Sequence, residues 1–371
     1  MKILLSLMKL DIGGAETHVI ELAKELKRRN WEVVVASNGG AFVKELEDFG
    51  IKHYSVPLQN KNPKNVVKAF KLLRQIIEEE KFDIVHSHAR IPSFILGKLH
   101  KSMKFPFVTT AHWVFTTKYG LKYITDWGQK TVAVSEDIKT YLMENYKIPE
   151  SDITVTINGI DTDKFSPDTD KKPVMDEFGL KEDDNTIVYV SRMDESRSLV
   201  AHHLIEAVKK LDTIVENLKV VIVGDGDDFA KVKAEAEAVN AELGREAIML
   251  AGARVDIAEL IAPCKLFIGV SRAALEAMAE SKPVIVAGNE GYIGTFDESK
   301  LQIALDTNFC CRGCEDSTAD KLAQDIGEFF GMWQEDREKL GEFGRNLILQ
   351  NYSVKRMTDD NESVYKSVLG I

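Results

Sequence analysis

The chain has 371 residues, of which 44% are hydrophobic and 29% charged, and its formal net charge is −11 at pH 7. This length and composition predict two globular domains, and no run approaches the roughly 18 apolar residues that cross a bilayer. The acidic balance argues against general nucleic-acid binding.

The first residues could be mistaken for a targeting segment. Residues 1–8 are mostly apolar, but Lys9 and Asp11 interrupt the run and no cleavage site of small residues follows. We therefore expect a first buried strand and a cytoplasmic protein.

Short apolar runs alternate with amphipathic segments through residues 1–165. Predicted strands lie at 3–7, 32–36, 52–56, 83–86, 107–110, 131–134 and 153–157. Predicted helices lie at 17–29, 42–49, 64–80 and 136–145. Strand and helix in alternation predict a parallel, doubly wound α/β sheet.

A polar stretch, 166–185, interrupts this pattern and is predicted to be a linker. The pattern then restarts, with strands at 187–190, 219–223, 247–250, 266–270 and 283–286. Helices are predicted at 201–211, 227–243, 255–261, 273–279, 319–332 and 336–350. The predicted domains are therefore 1–165 and 186–350, and a last helical segment within 351–371 is expected to pack back onto the first domain.

Charge is divided unevenly between the two halves. Residues 1–165 carry 24 Lys and Arg against 20 Asp and Glu, whereas residues 166–371 carry 24 against 39. The basic residues cluster in the first half at Lys61, Lys64, Lys68, Lys71, Arg74, Lys98, Lys101 and Lys104. Two interpretations stay open: a solvated helix face, or a surface for an anionic acceptor or membrane.

Two strand-to-helix loops have the composition of ligand sites. Gly13 and Gly14 follow the first strand, where glycines allow close approach of a ligand, although neither a dinucleotide fingerprint nor a P-loop is present. In the second half, strand 266–270 leads into a helix that carries Glu276. Free N–H groups at such a helix start suit phosphate, and a carboxylate suits sugar hydroxyls, so this loop predicts a nucleotide-sugar site.

The cysteines and paired histidines give weaker signals. Cys310, Cys311 and Cys314 include a C-x-x-C pattern, but no fourth ligand is evident, so reduced thiols are favoured over a metal or redox site. His86 and His88 alternate along a strand without acidic or cysteine neighbours. No metal site is predicted.

Seven short motifs occur in an order typical of one family. They are Gly13-Gly14-Ala15-Glu16, 83–88, Val134-Ser135, 158–161, 191–194, Gly224-Asp225-Gly226 and Leu275-Glu276-Ala277-Met278. Over roughly residues 3 to 350, the chain resembles the retaining glycosyltransferases of family 4, also called glycosyl transferases group 1. The resemblance implies a GT-B fold, in which two Rossmann-like domains face each other across a cleft.

The resemblance also implies roles for single residues. Gly13 and Gly14 would lie near the donor phosphates and acceptor, and His112 near the transferred sugar. Arg192 would grip the donor diphosphate, and Glu276 would accept hydrogen bonds from the ribose. A further position implied by the resemblance is Gly252, beside the base.

Several of these assignments have a structural alternative, and Gly13 and Gly14 could form a purely structural turn. Arg192 could pair only with Asp194 or Glu195, His112 could be a packed core histidine, and Glu276 could be an ordinary helix carboxylate.

The chain departs from the family pattern at the donor loop. Ile268 stands where many relatives have a second glutamate, and the loop 269–272 is shortened, so Ser271, Arg272 or the backbone would supply the sugar contacts. The lysine that commonly follows the diphosphate arginine is absent, and Arg197 is the candidate to replace its charge. The segment Gly291-Tyr292-Ile293-Gly294, which follows the strand 283–286, is a further candidate to line the cleft.

The expected activity is transfer of a hexosyl group from a nucleoside-diphosphate sugar, with UDP favoured, to a glycan or lipid-linked acceptor. The resemblance implies retention of anomeric configuration without a metal or other cofactor, in polysaccharide or glycolipid biosynthesis. Contact with the inner face of the membrane is left open. Rival interpretations are a nucleotide-sugar 2-epimerase and a non-catalytic binding subunit of the same architecture, whereas a nicotinamide-dependent dehydrogenase lacks its glycine spacing.

Overall fold

The structure is a computed structural model that describes residues 1–11, 13–118 and 120–371. This part of the chain forms two compact units. Unit 1 comprises Met1–Gly159 and Tyr352–Ile371, and unit 2 comprises Ile160–Asn351.

The described residues of unit 1 form one parallel sheet. Its strands are β1 (Lys2–Ser6), β2 (Glu32–Ser37), β3 (Lys52–Ser55), β4 (Ile84–Ser87), β5 (Phe107–Ala111), β6 (Lys130–Ala133) and β7 (Ile153–Val155). Their order is β3-β2-β1-β4-β5-β6-β7, so the chain reverses its winding direction between β1 and β4. Ligands of doubly wound sheets bind at this switch point, beyond the carboxyl ends of the strands.

Helices follow the strands of unit 1. They are α1 (Gly14–Arg28), α2 (Val43–Asp48), α3 (Pro63–Glu80), α4 (Arg90–Met103) and α5 (Glu136–Tyr141). No helix or strand was predicted for residues 90–103, where the structure has α4. Pro92 lies in the first turn of α4, where its missing N–H would have no partner within the helix, so this proline does not break it.

Unit 2 repeats the same winding. Its strands are β8 (Asn185–Val190), β9 (Leu218–Val223), β10 (Ile248–Gly252), β11 (Leu266–Gly269), β12 (Val284–Gly288) and β13 (Gly291–Thr295). Their order is β10-β9-β8-β11-β12-β13, with the switch point between β8 and β11. Residues 291–294, to which the sequence pattern gave no strand, belong to β13, which pairs antiparallel with β12 at the edge of the sheet.

The helices of unit 2 complete the α/β pattern. They are α6 (Lys172–Phe178), α7 (Leu199–Leu211), α8 (Phe229–Leu243), α9 (Ile257–Ile261), α10 (Ser271–Ala279), α11 (Leu301–Asp306), α12 (Ala319–Gly331) and α13 (Gln334–Leu347). Residues 166–185, predicted as a linker, lie inside unit 2 and contain α6. The last helix, α14 (Val354–Leu369), belongs to unit 1 and packs on α1.

Successive side chains of β1 point to opposite faces of the unit 1 sheet, and helices cover both faces. Ile3 and Leu5 join one apolar cluster, with α1 and α14, while Leu4 joins another, with α3 and α4. All three side chains are fully buried. Among the described residues, no helix has the length and apolar character needed to cross a membrane.

Candidate functional site

Each unit places its predicted site residues at the carboxyl ends of its parallel strands. We call Gly13, Gly14, His18, His88 and His112 the unit 1 edge. We call Arg192, Arg197, Gly252, Arg272 and Glu276, together with Ser271, the unit 2 edge.

The glycine pair of the unit 1 edge opens helix α1. Gly13 is its N-cap residue in extended backbone, and Gly14 is the first helical residue. A Cβ built at Gly14 would meet no atom within 4 Å, so packing among the described residues does not require a glycine there. A ligand that approaches the helix start is a physical reason for it. The preceding loop residue, Ile12, lies outside the described residues.

His112 follows β5 and meets two other histidines. The Nδ1 atom of His88 lies 3.1 Å from Nε2 of His112. His18, on α1, contacts His112 edge-on with ring centroids 4.7 Å apart. His18 was not among the site residues predicted from the sequence. Its signal was available, because His18 lies four residues after Gly14 and therefore on the same face of the helix.

His86 lies behind this group and is held on both sides. Its Nδ1 atom is 2.7 Å from the Tyr365 hydroxyl, and its Nε2 atom is 2.7 Å from the Thr110 hydroxyl. Burial lowers the pKa of His86 to about 3. The ring is therefore neutral and structural, with α14 contributing one of its two partners.

Arg192 lies just beyond β8 in the unit 2 edge. Tyr189 of β8 pairs with Ile268 of β11 in the sheet register. Arg192 and Ser271 each come three residues after this pair, beyond the same edge of the sheet. Arg192 is exposed, and its guanidinium forms no ion pair with any described residue. The expected alternative partner, Asp194, instead pairs with Arg197 at 2.6 Å and accepts a hydrogen bond from Ser196. Among the described residues of this edge, Arg192 is therefore the arginine that can bind an anion without losing an ion pair.

Glu276 points back along α10 to Arg272. The Nε atom of Arg272 donates to Glu276 Oε1 at 2.7 Å, and only 8% of Glu276 is exposed. Burial raises the pKa of Glu276, while the positive charges of Arg272 and Lys164 act in the opposite direction. This buried carboxylate has a cation beside it, unlike a surface helix carboxylate.

Backbone geometry is unusual at two positions of the unit 2 edge. Ser271 has a φ of 51°, a left-handed conformation that is uncommon for a residue other than glycine, and its N–H donates to the Phe309 carbonyl at 2.8 Å. Gly252, at the end of β10, has a φ of 66° and no atom within 4 Å of a built Cβ. Both lie at strand ends where a ligand can approach the backbone.

The cysteine group is not joined by disulfides. None of Cys264, Cys310, Cys311 and Cys314 forms one. Burial raises the pKa of Cys311 to about 12, so this thiol stays protonated and is a poor nucleophile at neutral pH.

Comparison with known proteins agrees with this arrangement. Residues 12–164 match Glycosyltransferase Family 4, and residues 170–347 match Glycosyl transferases group 1. The chain is 23% identical to the N-acetyl-alpha-D-glucosaminyl L-malate synthase of Bacillus anthracis, covering 97% of this chain and 95% of the relative.

Solved structures share the fold over the full length. A glycosyltransferase from Rickettsia africae has a TM-score of 0.79 and 27% identity, covering 99% of this chain and 98% of that one. Anabaena HepE in complex with UDP-glucose has a TM-score of 0.74 and 18% identity, with both chains fully covered. The chain is therefore a glycosyltransferase with the GT-B fold and belongs to the family 4, group 1 glycosyltransferases.

Proposed function

We propose that this glycosyltransferase moves a hexosyl group from a UDP-sugar to an acceptor hydroxyl with retention of anomeric configuration. The observation that carries the proposal is that a cationic and an anionic side chain occur together at the unit 2 edge. An exposed arginine without an ion-pair partner among the described residues lies beyond β8, and a buried carboxylate lies on the helix after the neighbouring strand β11. A nucleoside diphosphate offers phosphates to the first group and ribose hydroxyls to the second.

In this proposal Arg192 binds the diphosphate. A guanidinium can donate two parallel hydrogen bonds to phosphate oxygens, and Arg192 need not give up another ion pair to do so. Arg197 is held by Asp194, so it would contribute a smaller part of the binding free energy. The start of α10 adds backbone N–H groups near the same level of the sheet.

Glu276 is assigned to the ribose. An ionised carboxylate accepts hydrogen bonds from two neighbouring hydroxyls, and Arg272 favours the ionised form that burial opposes. Ser271 and Arg272 would take the place of the sugar contacts that the shortened loop cannot supply. Gly252 leaves room for the base at the end of β10.

The chemical step requires stabilisation of the departing diphosphate and of an oxocarbenium-like sugar. Arginine and helix amides would neutralise the leaving group electrostatically, without a metal on the phosphates. The acceptor proton could pass to the leaving phosphate, so the proposal assigns no side-chain nucleophile or base. His112 is assigned to the side of the transferred sugar.

Unit 1 is proposed to hold the acceptor. Its segment after β5 exposes 63% of Trp113 and 88% of Tyr123, and the same segment contains Lys118 and Lys122. Aromatic side chains beside lysines suit the interface of an anionic membrane. We therefore propose a lipid-linked acceptor reached from the membrane surface. Pelleting with anionic vesicles, but not with neutral ones, would support this part, and equal recovery with both would contradict it.

The donor proposal is tested by calorimetric titration of UDP and a panel of UDP-sugars into the full chain. Arg192→Ala should weaken UDP binding about 10–100-fold, because a charged hydrogen bond contributes about 1.5–3 kcal/mol. Arg74→Ala, which removes an exposed guanidinium from α3 of unit 1, is the matched control and should bind as the parent does.

Retention is tested with the donor that binds, by following the anomeric proton of the product by NMR. Product with the donor's anomeric configuration supports the proposal, and inverted product contradicts it. An epimerised donor formed without acceptor would favour the 2-epimerase alternative. If Arg192→Ala binds UDP as tightly as the parent does, the assignment of the donor site is wrong.

A further inference from the structure

The loop between β8 and α7, residues 191–198, carries two arginines of the unit 2 edge, and we call it the arginine loop. Its backbone is bonded to the turn after β9 next to Arg192. The N–H of Met193 donates to the Asp225 carbonyl at 3.0 Å, and the N–H of Asp228 donates to the Met193 carbonyl at 2.8 Å. Met193 is fully buried, whereas Arg192 is exposed. The backbone beside Arg192 is therefore fixed while its guanidinium stays accessible to a ligand.

Asp228 is the N-cap residue of α8, but its side chain makes no capping hydrogen bond to that helix, all of whose residues are described. An aspartate at this position ordinarily accepts from a backbone N–H of its own helix. Here Asp228 Oδ2 accepts instead from the Ser198 hydroxyl at 2.5 Å and lies 2.7 Å from His202 Nε2. Ser198 is the N-cap residue of α7. The carboxylate thus connects the starts of two neighbouring helices.

His202 extends this connection along α8. Its Nε2 atom faces Asp228, and its Nδ1 atom lies 2.5 Å from Oε2 of Glu235. Hydrogen bonds from Ser198 and then from His202 lower the pKa of Asp228, so this carboxylate is ionised at neutral pH. An ionised carboxylate only accepts hydrogen bonds, so the nitrogen that faces Asp228 carries a proton.

These contacts are sheltered from water and reach the arginine loop directly. Ser198 is 2% exposed, and the side chains of Asp228 and His202 are 13% and 18% exposed. Hydrogen bonds to an ionised group are shorter and stronger than neutral ones. Ser198 is also the last residue of the loop, and its N–H donates to the carbonyl of Asp194, which pairs with Arg197. Asp228 therefore fixes the end of the loop as well as the backbone beside its first arginine.

We propose that Asp228 is a positioning residue for the donor diphosphate. Through Ser198 and His202, its carboxylate holds the arginine loop in the conformation in which Arg192 meets the phosphates. The carboxylate is not assigned a contact with the ligand, because its negative charge repels phosphate. The inference rests on the proposed function, since it takes Arg192 as the group that binds the diphosphate.

The first test compares two ligands of the full chain. UDP is titrated by calorimetry, and uridine, which has the base and ribose but no phosphate, by ligand-observed NMR. Asp228→Ala should weaken UDP binding about tenfold and leave uridine binding unchanged, because only the phosphates meet the arginine loop. Equal weakening of both ligands would indicate a general structural role and overturn the proposal. UDP binding as tight as that of the parent, or tighter, would also overturn it.

A double-variant cycle then decides whether Asp228 acts through Arg192, even if uridine binds too weakly to measure. In the Arg192→Ala background, Asp228→Ala should weaken UDP binding at most about twofold further, since only the smaller contribution of Arg197 remains. Losses that multiply in full would show that Asp228 acts independently and would contradict the inference. An Arg192→Ala variant that binds UDP as the parent does would instead contradict the proposed function.

Two further variants separate positioning from stability. Asp228→Asn keeps an acceptor for the Ser198 hydroxyl and should recover part of the lost UDP affinity, whereas affinity as low as in Asp228→Ala would contradict a role for this hydrogen bond. Asp212→Ala is the matched control. Asp212 lies at the opposite end of α7 and pairs with Arg245, so its loss should lower stability and leave UDP binding unchanged.

Unfolding transitions are recorded for every variant. If Asp228→Ala does not fold, Ser198→Ala takes its place, because it removes only the hydroxyl bond to Asp228. It should weaken UDP binding about threefold and leave uridine binding unchanged. A folded Ser198→Ala with the UDP affinity of the parent would overturn the proposal.

Discussion

The unit 1 edge and the unit 2 edge occupy the same place in the same sheet topology but carry opposite chemistry. Both lie beyond the carboxyl ends of parallel strands, and each sheet reverses its strand order within that edge. In unit 1 the side chains are histidines, of which His18 and His88 are buried, and burial lowers the pKa of His88. In unit 2 they are an exposed arginine and an arginine–glutamate pair.

This difference shows that the sheet topology determines where a ligand binds. The side chains at that place determine which kind of ligand binds. A doubly wound sheet opens its loops at one edge whatever the sequence of those loops. Exposed guanidinium groups at that edge favour an anion. Neutral imidazoles favour an uncharged hydroxyl group.

The largest expected effect comes from a substitution at a strand end of unit 2. Gly224 follows β9 with a φ of +139°, and a Cβ there would lie 1.7 Å from the Ser191 carbonyl oxygen. Gly224→Ala should therefore lower the free energy of unfolding by about 3 kcal/mol, since strain and overpacking add. Calorimetry of unfolding measures the change. Gly179→Ala, whose φ is +60° but whose Cβ would meet nothing within 4 Å, is the control and should cost less. Equal losses would show that the close approach is not what requires Gly224.

A second prediction concerns the ionisation of Glu276 by Arg272. Removing the guanidinium in Arg272→Ala leaves burial to act alone, so the pKa of Glu276 should rise further. The carboxyl then takes up a proton as pH falls and loses acceptor capacity for the ribose. UDP binding should weaken about tenfold more between about pH 8 and about pH 5.5 in Arg272→Ala than in the parent. Calorimetric titration at both pH values measures this, and parallel pH profiles would argue against the assigned role.

A third prediction concerns the charge network around Glu80, at the opposite end of the unit 1 sheet. Glu80 contacts Lys2, Lys52 and Tyr54, and these partners lower its pKa to about 2. A depressed carboxyl pKa stabilises the fold above the unfolded value of about 4.5, and this contribution is lost as pH falls toward 2. Glu80→Gln should cost about 0.5–1 kcal/mol near neutral pH, because water screens the network.

Denaturant unfolding of parent and Glu80→Gln between neutral pH and acid checks this prediction. The difference between the two proteins should shrink as the pH falls below about 4.5. A difference that is constant with pH would exclude the ionic explanation. Glu78→Gln, on the same helix with one exposed arginine partner, is the matched control.

The smallest expected effect belongs to the glycine of the unit 1 edge. Gly14→Ala meets open space at the start of α1, so its free energy of unfolding should change by less than about 0.5 kcal/mol. Any loss of transferase activity would then come from ligand approach rather than folding. A large loss of stability would show that Gly14 is required by the fold.

The sequence predicted most of the fold because hydrophobic periodicity is a local property. Apolar runs such as 219–223 and the amphipathic helix that ends at Glu80 lie where the structure has β9 and α3. It failed where local signals mislead, as at Pro92 in α4 and at the glycines of β13. It also assigned 166–185 to a linker, whereas α6 lies there within unit 2.

The candidate site was predictable only in part for the same reason. Arg192 and Glu276 each lie within a short motif, so the sequence could name them without knowing their neighbours. The group of His18, His88 and His112 is different, because its members are separated by 70 and 24 positions along the chain. His88 and His112 each appeared as one histidine beside a strand, and His18 appeared as one residue of an amphipathic helix.

By itself, the sequence determined the alternation of strands and helices, the family, and the residue types at each strand end. Those properties depend on neighbours within a few residues, where side-chain periodicity and backbone preference act. Only the tertiary structure decided that three distant histidines meet. The physical reason is that parallel strands align the ends of segments that are distant in the chain, and the resulting contacts depend on register and burial, which no local pattern contains.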